Sequence, residues 1–210
     1  DLVATLRNIE AAYMEFQRVL GTGTKRRQNL LRHIESETQI VRWFEPIIIP
    51  GVLQTPEYIE WILSQVIGFY GIPDDLEQGV AARVERQKVL YDRRKRFSFI
   101  IAEQALHTSA GSDEVMIGQL DRLLTAMSLP RVNVAILPQQ AAYRAPTVHG
   151  FVMYDKRIVL VETVSAELTV TQPAEIGLYG KAFDTLTRQA VTGEQARALI
   201  RKAIDARGNR

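Results

Sequence analysis

The chain has 210 residues, 46% of them apolar, and its 26 Lys and Arg against 24 Asp and Glu leave a formal charge of +2. This is the balance of a folded globular domain; it excludes a disordered or collagen-like chain and, by totals, gives no reason to expect nucleic acid or membrane as a partner. There is no cysteine, which removes disulfides, thiolate catalysis, Cys-ligated zinc and iron–sulfur clusters.

The first predicted element is an amphipathic helix over 2–20, with Leu2, Leu6, Ile9, Tyr13, Phe16 and Leu20 at spacings of three and four. Gly21 and Gly23 interrupt it, and TKRRQNLLRHIESETQIVRWF restarts the pattern through Leu30, Leu31, Ile34, Ile40 and Trp43. Pro46 and Pro50 then bracket Ile47, Ile48 and Ile49, which reads as an extended connector. Thr55 is placed to cap a following helix with Pro56 at its first position. Past the turn at YGIPDD, another helix runs through Leu90, with Arg83, Arg86 and Gln87 on neighbouring turns.

Beyond Arg96 the period changes. FSFIIAE predicts a strand with Phe97, Phe99 and Ile101 on one face and Ile100 on the other. A helix opens at Ser112 or Asp113, RVNVAILP is a strand stopped by Pro138, and GFVMYDKRIVLVET is a hairpin turning at Asp155 and Lys156. ELTVT adds a fifth strand, and helices starting at Pro173 and at Gly193 or Glu194 close the chain. The expected fold class is α+β: N-terminal helices, a small mixed or antiparallel sheet of about four to five strands, and C-terminal helices. The domain reading is a linker or dimerisation helix region over 1–29, a regulatory domain over 30–204 and a tail over 205–210.

Motifs for bond chemistry are weak. His33, His107 and His149 lack metal-ligand spacing, no serine stands in a GxSxG elbow, and LGTGTKRR lacks the arrangement of a phosphate loop. Glu103 with His107 is the best acid and imidazole pair, and supports an alternative reading as a small-molecule enzyme. Trp43, Trp61, Phe69 and Tyr70 are candidates for an apolar pocket or for ordinary packing. No metal, cofactor or catalytic residue is expected. No uncharged stretch is long enough to span a bilayer; the start at Asp1 without an initiator methionine or signal-peptide layout fits a fragment of something longer, and the absence of cysteine leans toward the cytoplasm.

The segments FEPIIIPGVLQTPEYIEWIL (44–63), ARVERQKVL (82–90), FIIAEQALHTSAGSDEVMIGQLDRLL (99–124), RVNVAILPQQAAYRAPTVHGFVMYD (131–155) and FDTLTRQAVTGEQARALI (183–200) occur in this order. Together they resemble the DUF5753 domain of WhiJ-like, XRE-type helix-turn-helix regulators of actinobacteria. Pro50, Gly51, Leu53, Gln54, Thr55, Pro56, Tyr58, Arg83, Arg86, Gln87 and Glu103 carry much of the match, whereas Val52 stands where leucine is common. The resemblance implies an antitoxin-like role in transcriptional control, DNA contact through helix-turn-helix helices absent from this chain, and a small DUF397-like protein or a small-molecule effector as partner. It supplies no catalytic residue. The expected recognition residues are Arg83, Arg86, Gln87 and Glu103, with Trp43, Tyr58 and Trp61 as an apolar wall. Loss of Arg86 is expected to weaken binding while sparing the fold. A third reading is a homodimerisation module built on the first helices.

Overall fold

The computed structural model describes residues 13–15, 20–146 and 149–208. The expected helix over 2–20 lies largely outside them, but Tyr13–Glu15 is a strand, β1, paired antiparallel with a strand far along the chain. Helix α1 (Thr24–Ser36) follows, and the predicted helical run stops there, because Ile40–Glu45 forms strand β2. Two effects end the helix. The β-branched and aromatic residues Ile40, Val41, Trp43 and Phe44 suit a pleated surface, and Lys95 Nζ donates to the carbonyls of Glu35, Ser36 and Thr38 at 2.7, 2.9 and 2.6 Å, closing the C-terminal turn.

The connector after β2 runs into a short 3₁₀ turn at Gly51–Leu53 and then α2 (Pro56–Tyr70). As expected, Thr55 accepts from Tyr58 N–H as the cap, with Pro56 at the first turn. Helix α3 (Leu76–Arg86) passes through a second 3₁₀ turn into β3 (Arg96–Ala102), α4 (Glu103–His107), α5 (Asp113–Ala126) and β4 (Val132–Leu137). Strands β5 (Phe151–Tyr154), β6 (Ile158–Glu162) and β7 (Ala166–Val170) precede α6 (Pro173–Thr187) and α7 (Gly193–Gly208).

The strands form one seven-stranded sheet in the order β1-β7-β6-β5-β2-β3-β4, larger than the four to five expected. Its two additional members, β1 and β2, lie in segments whose helical spacing was overridden by strand pairing. Strands β2, β3 and β4 are parallel and joined by helical crossovers, whereas β5, β6, β7 and β1 add antiparallel neighbours. The α+β class holds. The β5–β6 hairpin turns at Asp155, whose φ is 53° and whose carboxylate accepts from Ile40 N–H at 2.8 Å, anchoring the start of β2.

Alternation along the strands divides the core. Val41, Trp43, Phe97, Phe99, Ile101, Val134 and Ile136 face α1, α5 and α7, while Phe44, Ile100, Ala135, Phe151, Met153 and Val161 face Ile176, Phe183 and Leu186 of α6. Each such aliphatic or aromatic burial contributes about 1.5–3 kcal/mol. Against the first face α1 and α3 approach closely: a Cβ at Gly79 would collide with Thr24 Oγ1. Asp75, just before α3, accepts from Thr24 N–H at 2.9 Å and Lys25 N–H at 2.8 Å, so the LGTGTKRR turn is capped by a carboxylate of this chain. Among the described residues, no helix is long and apolar enough to cross a membrane.

Candidate functional site

Strand β2 points Val41, Trp43 and Glu45 to the same face, since side chains alternate with period two. The first two enter the core; the third brings a carboxyl to the end of the strand, directly before Pro46. Glu45 Oε1 accepts from Trp43 Nε1 at 2.9 Å, and Gly150 lies over its other oxygen, where a Cβ would come within 3.1 Å of Oε2. The residue is half-buried, its carboxyl between Trp43 and Gly150, and desolvation, opposed weakly by the Trp43 hydrogen bond, pushes it up to about 8.

Helices α1 and α3 bring basic groups over the same end of the sheet. Arg27 donates to Glu162 of β6 and Glu167 of β7. Burial opposes its charge, but these two carboxylates outweigh that and hold the guanidinium firmly protonated. Arg86 is equally committed: Nε and NH2 donate to the two oxygens of Glu35 at 2.8 and 2.6 Å, and NH1 donates to Gln28 Oε1 at 3.0 Å. Its guanidinium carbon stands 5.8 Å from the centre of the Trp43 ring. A buried bidentate pair of this kind is held by geometry that removal of either partner destroys.

Arg83 differs. Its NH1 donates to Gln54 Oε1 at 2.8 Å, but its Nε is shielded from solvent with no hydrogen-bond partner. Among the described residues it forms no salt bridge. Burial and the nearby Arg86 lower it to about 9, so it still carries its charge at neutral pH. Tyr154 Oη, on β5, is the second shielded side-chain atom without a partner among the described residues.

Both orphaned atoms belong to residues lining adjoining cavities. One, of about 130 Å³, is bounded by Arg83, Glu45, Gly51 and Gln54 and by apolar Leu20, Ile62, Leu63 and Val66. The other, of about 300 Å³, is bounded by Tyr154, His149, Ile47 and Pro46. Leu31, Trp43, Glu45, Ile48, Arg86 and Glu162 line both. At Gly51 a Cβ would stand 3.9 Å from Arg83 Nε and Arg86 NH1, so the absent side chain leaves room directly before the two guanidinium groups.

Of the residues singled out from the sequence, Arg83, Arg86 and Trp43 therefore meet at one cavity. Gln87 lies beside it and holds the connector, its Nε2 donating to Gln54 O at 2.6 Å. Tyr58 is fully buried and its hydroxyl accepts from Ile49 N–H at 3.3 Å, also bracing the connector. Trp61 packs against the main core. Glu103 is elsewhere, at the start of α4, accepting from Gln139 N–H at 2.8 Å; His107 is exposed and its carbonyl accepts from Arg207. The expectation that Arg86 can be removed without loss of folding is revised, because Glu35 would then be buried without its counter-charge. Sequence reasoning missed Glu45, Arg27, Glu35 and Glu162. The alternation of β2 could have found Glu45; nothing local pairs Arg27 with carboxylates 135 and 140 positions away. No group of three or more His, Asp or Glu placed to hold a metal ion occurs among the described residues.

The model of a family described as "Domain of unknown function (DUF5753)" matches residues 28–202. This chain belongs to the DUF5753 family. No curated protein matches it. Among solved structures the DUF5753 chain is similar to NucT from Helicobacter pylori, with 12% identity and a TM-score of 0.48 over 86% of this chain and 97% of that one. It is also similar to Nuc from Salmonella typhimurium, a phospholipase D family member, with 11% identity and a TM-score of 0.42 over 80% and 90% of the two chains. TrmBL2, an archaeal chromatin protein, gives 9% identity and a TM-score of 0.40 over 86% of this chain and 52% of its own.

Proposed function

We propose that this DUF5753 chain is the effector-sensing domain of a helix-turn-helix transcription regulator, with DNA reading assigned to a separate domain and the Arg83 cavity as the sensing site. The observation that carries the reading is the pair of shielded, unpartnered polar atoms, Arg83 Nε and Tyr154 Oη, on the walls of adjoining cavities. Such atoms each cost about 1–3 kcal/mol unless something bonds to them, and a bound small molecule relieves that cost. The site is also placed for transmission. Its walls come from α1, α2, α3, β2 and the connector, so a ligand that bonds to them favours the arrangement in which the helices sit tightly on the sheet. A regulator whose DNA-reading helices are coupled to α1 then shifts population with ligand.

The mode is binding without bond chemistry. The acid–base alternative at Glu103 and His107 gains no support from the geometry, since Glu103 holds a loop amide and His107 faces solvent. The test is capture of small molecules from a native lysate on the purified chain, read by mass spectrometry beside the Gly51→Val variant, whose added side chain fills the space before Arg83. A metabolite retained by the wild type and absent from the variant is the expected result. Identical small-molecule profiles from two folded proteins would overturn the sensing reading.

A further inference from the structure

Two ionisable side chains on the wall of the 130 Å³ cavity, within electrostatic reach of each other, have no salt-bridge partner among the described residues. Arg83 has only the neutral Gln54 amide as partner, and Glu45 has only the Trp43 N–H. The other ionic groups there are already spoken for: Arg27 by Glu162 and Glu167, Arg86 by Glu35. A purely anionic ligand would satisfy Arg83 but place its charge beside Glu162 and hold Glu45 protonated, with Trp43 as its one hydrogen-bond partner; a purely cationic one would draw Glu45 into its ionised form but crowd Arg27, Arg83 and Arg86. A ligand with both charges adds no net charge to a site in which each uncompensated ion would cost several kcal/mol. The remaining wall is aliphatic, from Leu20, Ile62, Leu63 and Val66.

We infer that the cavity takes a small zwitterion of the apolar α-amino-acid class, its carboxylate on Arg83, its ammonium on Glu45 and its side chain against Leu20, Ile62, Leu63 and Val66. This assignment rests on the sensing reading above and adds the ligand's chemistry to it. Arg83 is suited to the first contact because a guanidinium presents Nε and a terminal nitrogen in one plane to a carboxylate. The second contact involves a proton. Glu45, raised to about 8 by burial, is mostly protonated at neutral pH; an ammonium beside it favours the ionised form, so ligand entry releases a proton. The titratable and charged groups around Glu45 are Arg27, Arg83, Arg86 and Glu162, with Tyr58, Tyr154 and His149, and the Glu45→Gln variant separates its proton from theirs.

The experiment is isothermal titration calorimetry of the whole 210-residue chain at neutral pH with L-leucine, L-methionine and L-phenylalanine, run in buffers of different ionisation enthalpy. Isocaproate, which lacks the ammonium, and isoamylamine, which lacks the carboxylate, are the paired probes for leucine. At least one amino acid is expected to bind with Kd of about 1 mM or tighter, and both truncated probes about tenfold or more weaker. Arg83→Met and Gly51→Val are expected to abolish binding while circular dichroism stays unchanged. Glu45→Gln is expected to weaken it about tenfold and to remove the buffer dependence that reports proton release. Isocaproate or isoamylamine binding as tightly as leucine would overturn the zwitterion, as would silence from all three amino acids. If the lysate still yields a Gly51-dependent metabolite of another class, the sensing reading stands and only this assignment falls; if it yields none, both fall.

Discussion

On one face of the sheet Phe44, Ile100, Phe151, Met153 and Val161 meet Ile176, Phe183 and Leu186 of α6, and the nearby cation, Arg42, stands at the rim 5.9 Å from the Phe183 ring centre. On the other face, beside a second apolar core, α1 and α3 set Arg27, Arg83 and Arg86 against Glu35, Glu45, Glu162 and Glu167 around the cavities. The α6 face is what apolar burial alone produces: close packing without direction. The α1/α3 end takes ions out of water at a cost that hydrophobic replacements would avoid. Its groups therefore serve something other than bulk stability, and the unpaired members, Arg83 and Glu45, mark where.

The sharpest way to break this contrast is to unbalance each face. Arg86→Ala strands Glu35 and is expected to cost about 3–5 kcal/mol, measured by urea denaturation; Phe183→Ala on the apolar face is expected to cost a similar amount for a different reason, the cavity left behind. The two separate on compensation. Replacing Glu35 and Arg86 together with Leu and Met is expected to recover most of the loss, whereas no polar change rescues Phe183→Ala. Failure of the double variant to recover would mean that the Glu35–Arg86 pair is a net stabiliser and the contrast is wrong.

A smaller effect of opposite sign is expected at Arg83. Arg83→Met removes a guanidinium with a shielded, unpartnered Nε and should raise the unfolding free energy by about 1–2 kcal/mol, seen as a higher urea midpoint, while ligand binding is lost. A drop in midpoint would show that Arg83 has a stabilising role in the ligand-free chain.

Glu45 sharpens the contrast through pH. Its carboxyl sits at about 8 when folded against an ordinary 4.5, so between those values the folded chain keeps a proton that the unfolded chain has released. The resulting stabilisation is complete below about pH 4.5 and fades as pH rises through about 8. Glu45→Gln, which never ionises, should flatten that slope and raise Tm above pH 8 by about 2–4 °C for each kcal/mol relieved, with little change near pH 4.5. Parallel melting curves at every pH would remove the buried-carboxyl account. The smallest expected effect is on the outer side of α6: Leu178 is 67% exposed, and Leu178→Ser should change stability by less than about 0.5 kcal/mol in the same denaturation assay.

Much of the fold was legible because its signals are local. Thr55 with Pro56 announced α2, Ser112 announced α5, and the alternation of Phe97, Phe99 and Ile101 announced β3 and the face it buries. The errors came where a helical spacing coincided with strand-forming residues. Ile40 and Trp43 lie three apart and fit a helix stripe, yet β2 is held between β3 and β5 by backbone pairing that the spacing cannot express. The site was half legible. Arg83, Arg86 and Trp43 were placed among the recognition residues, but their roles were not distinguished.

By itself the sequence determined the α+β class, the cap positions, the inward faces of the strands and the absence of thiolate chemistry, because each depends on the identity of a few neighbouring residues. Only the tertiary structure decided which buried charges are matched. Arg83 and Arg86 are three positions apart on one helix face; one meets Glu35 of α1, and the other meets a glutamine amide and the cavity. Coulomb energy and desolvation depend on distance and surroundings in space, and those are set by the packing of α1 and α3 on a sheet whose strands come from both ends of the chain.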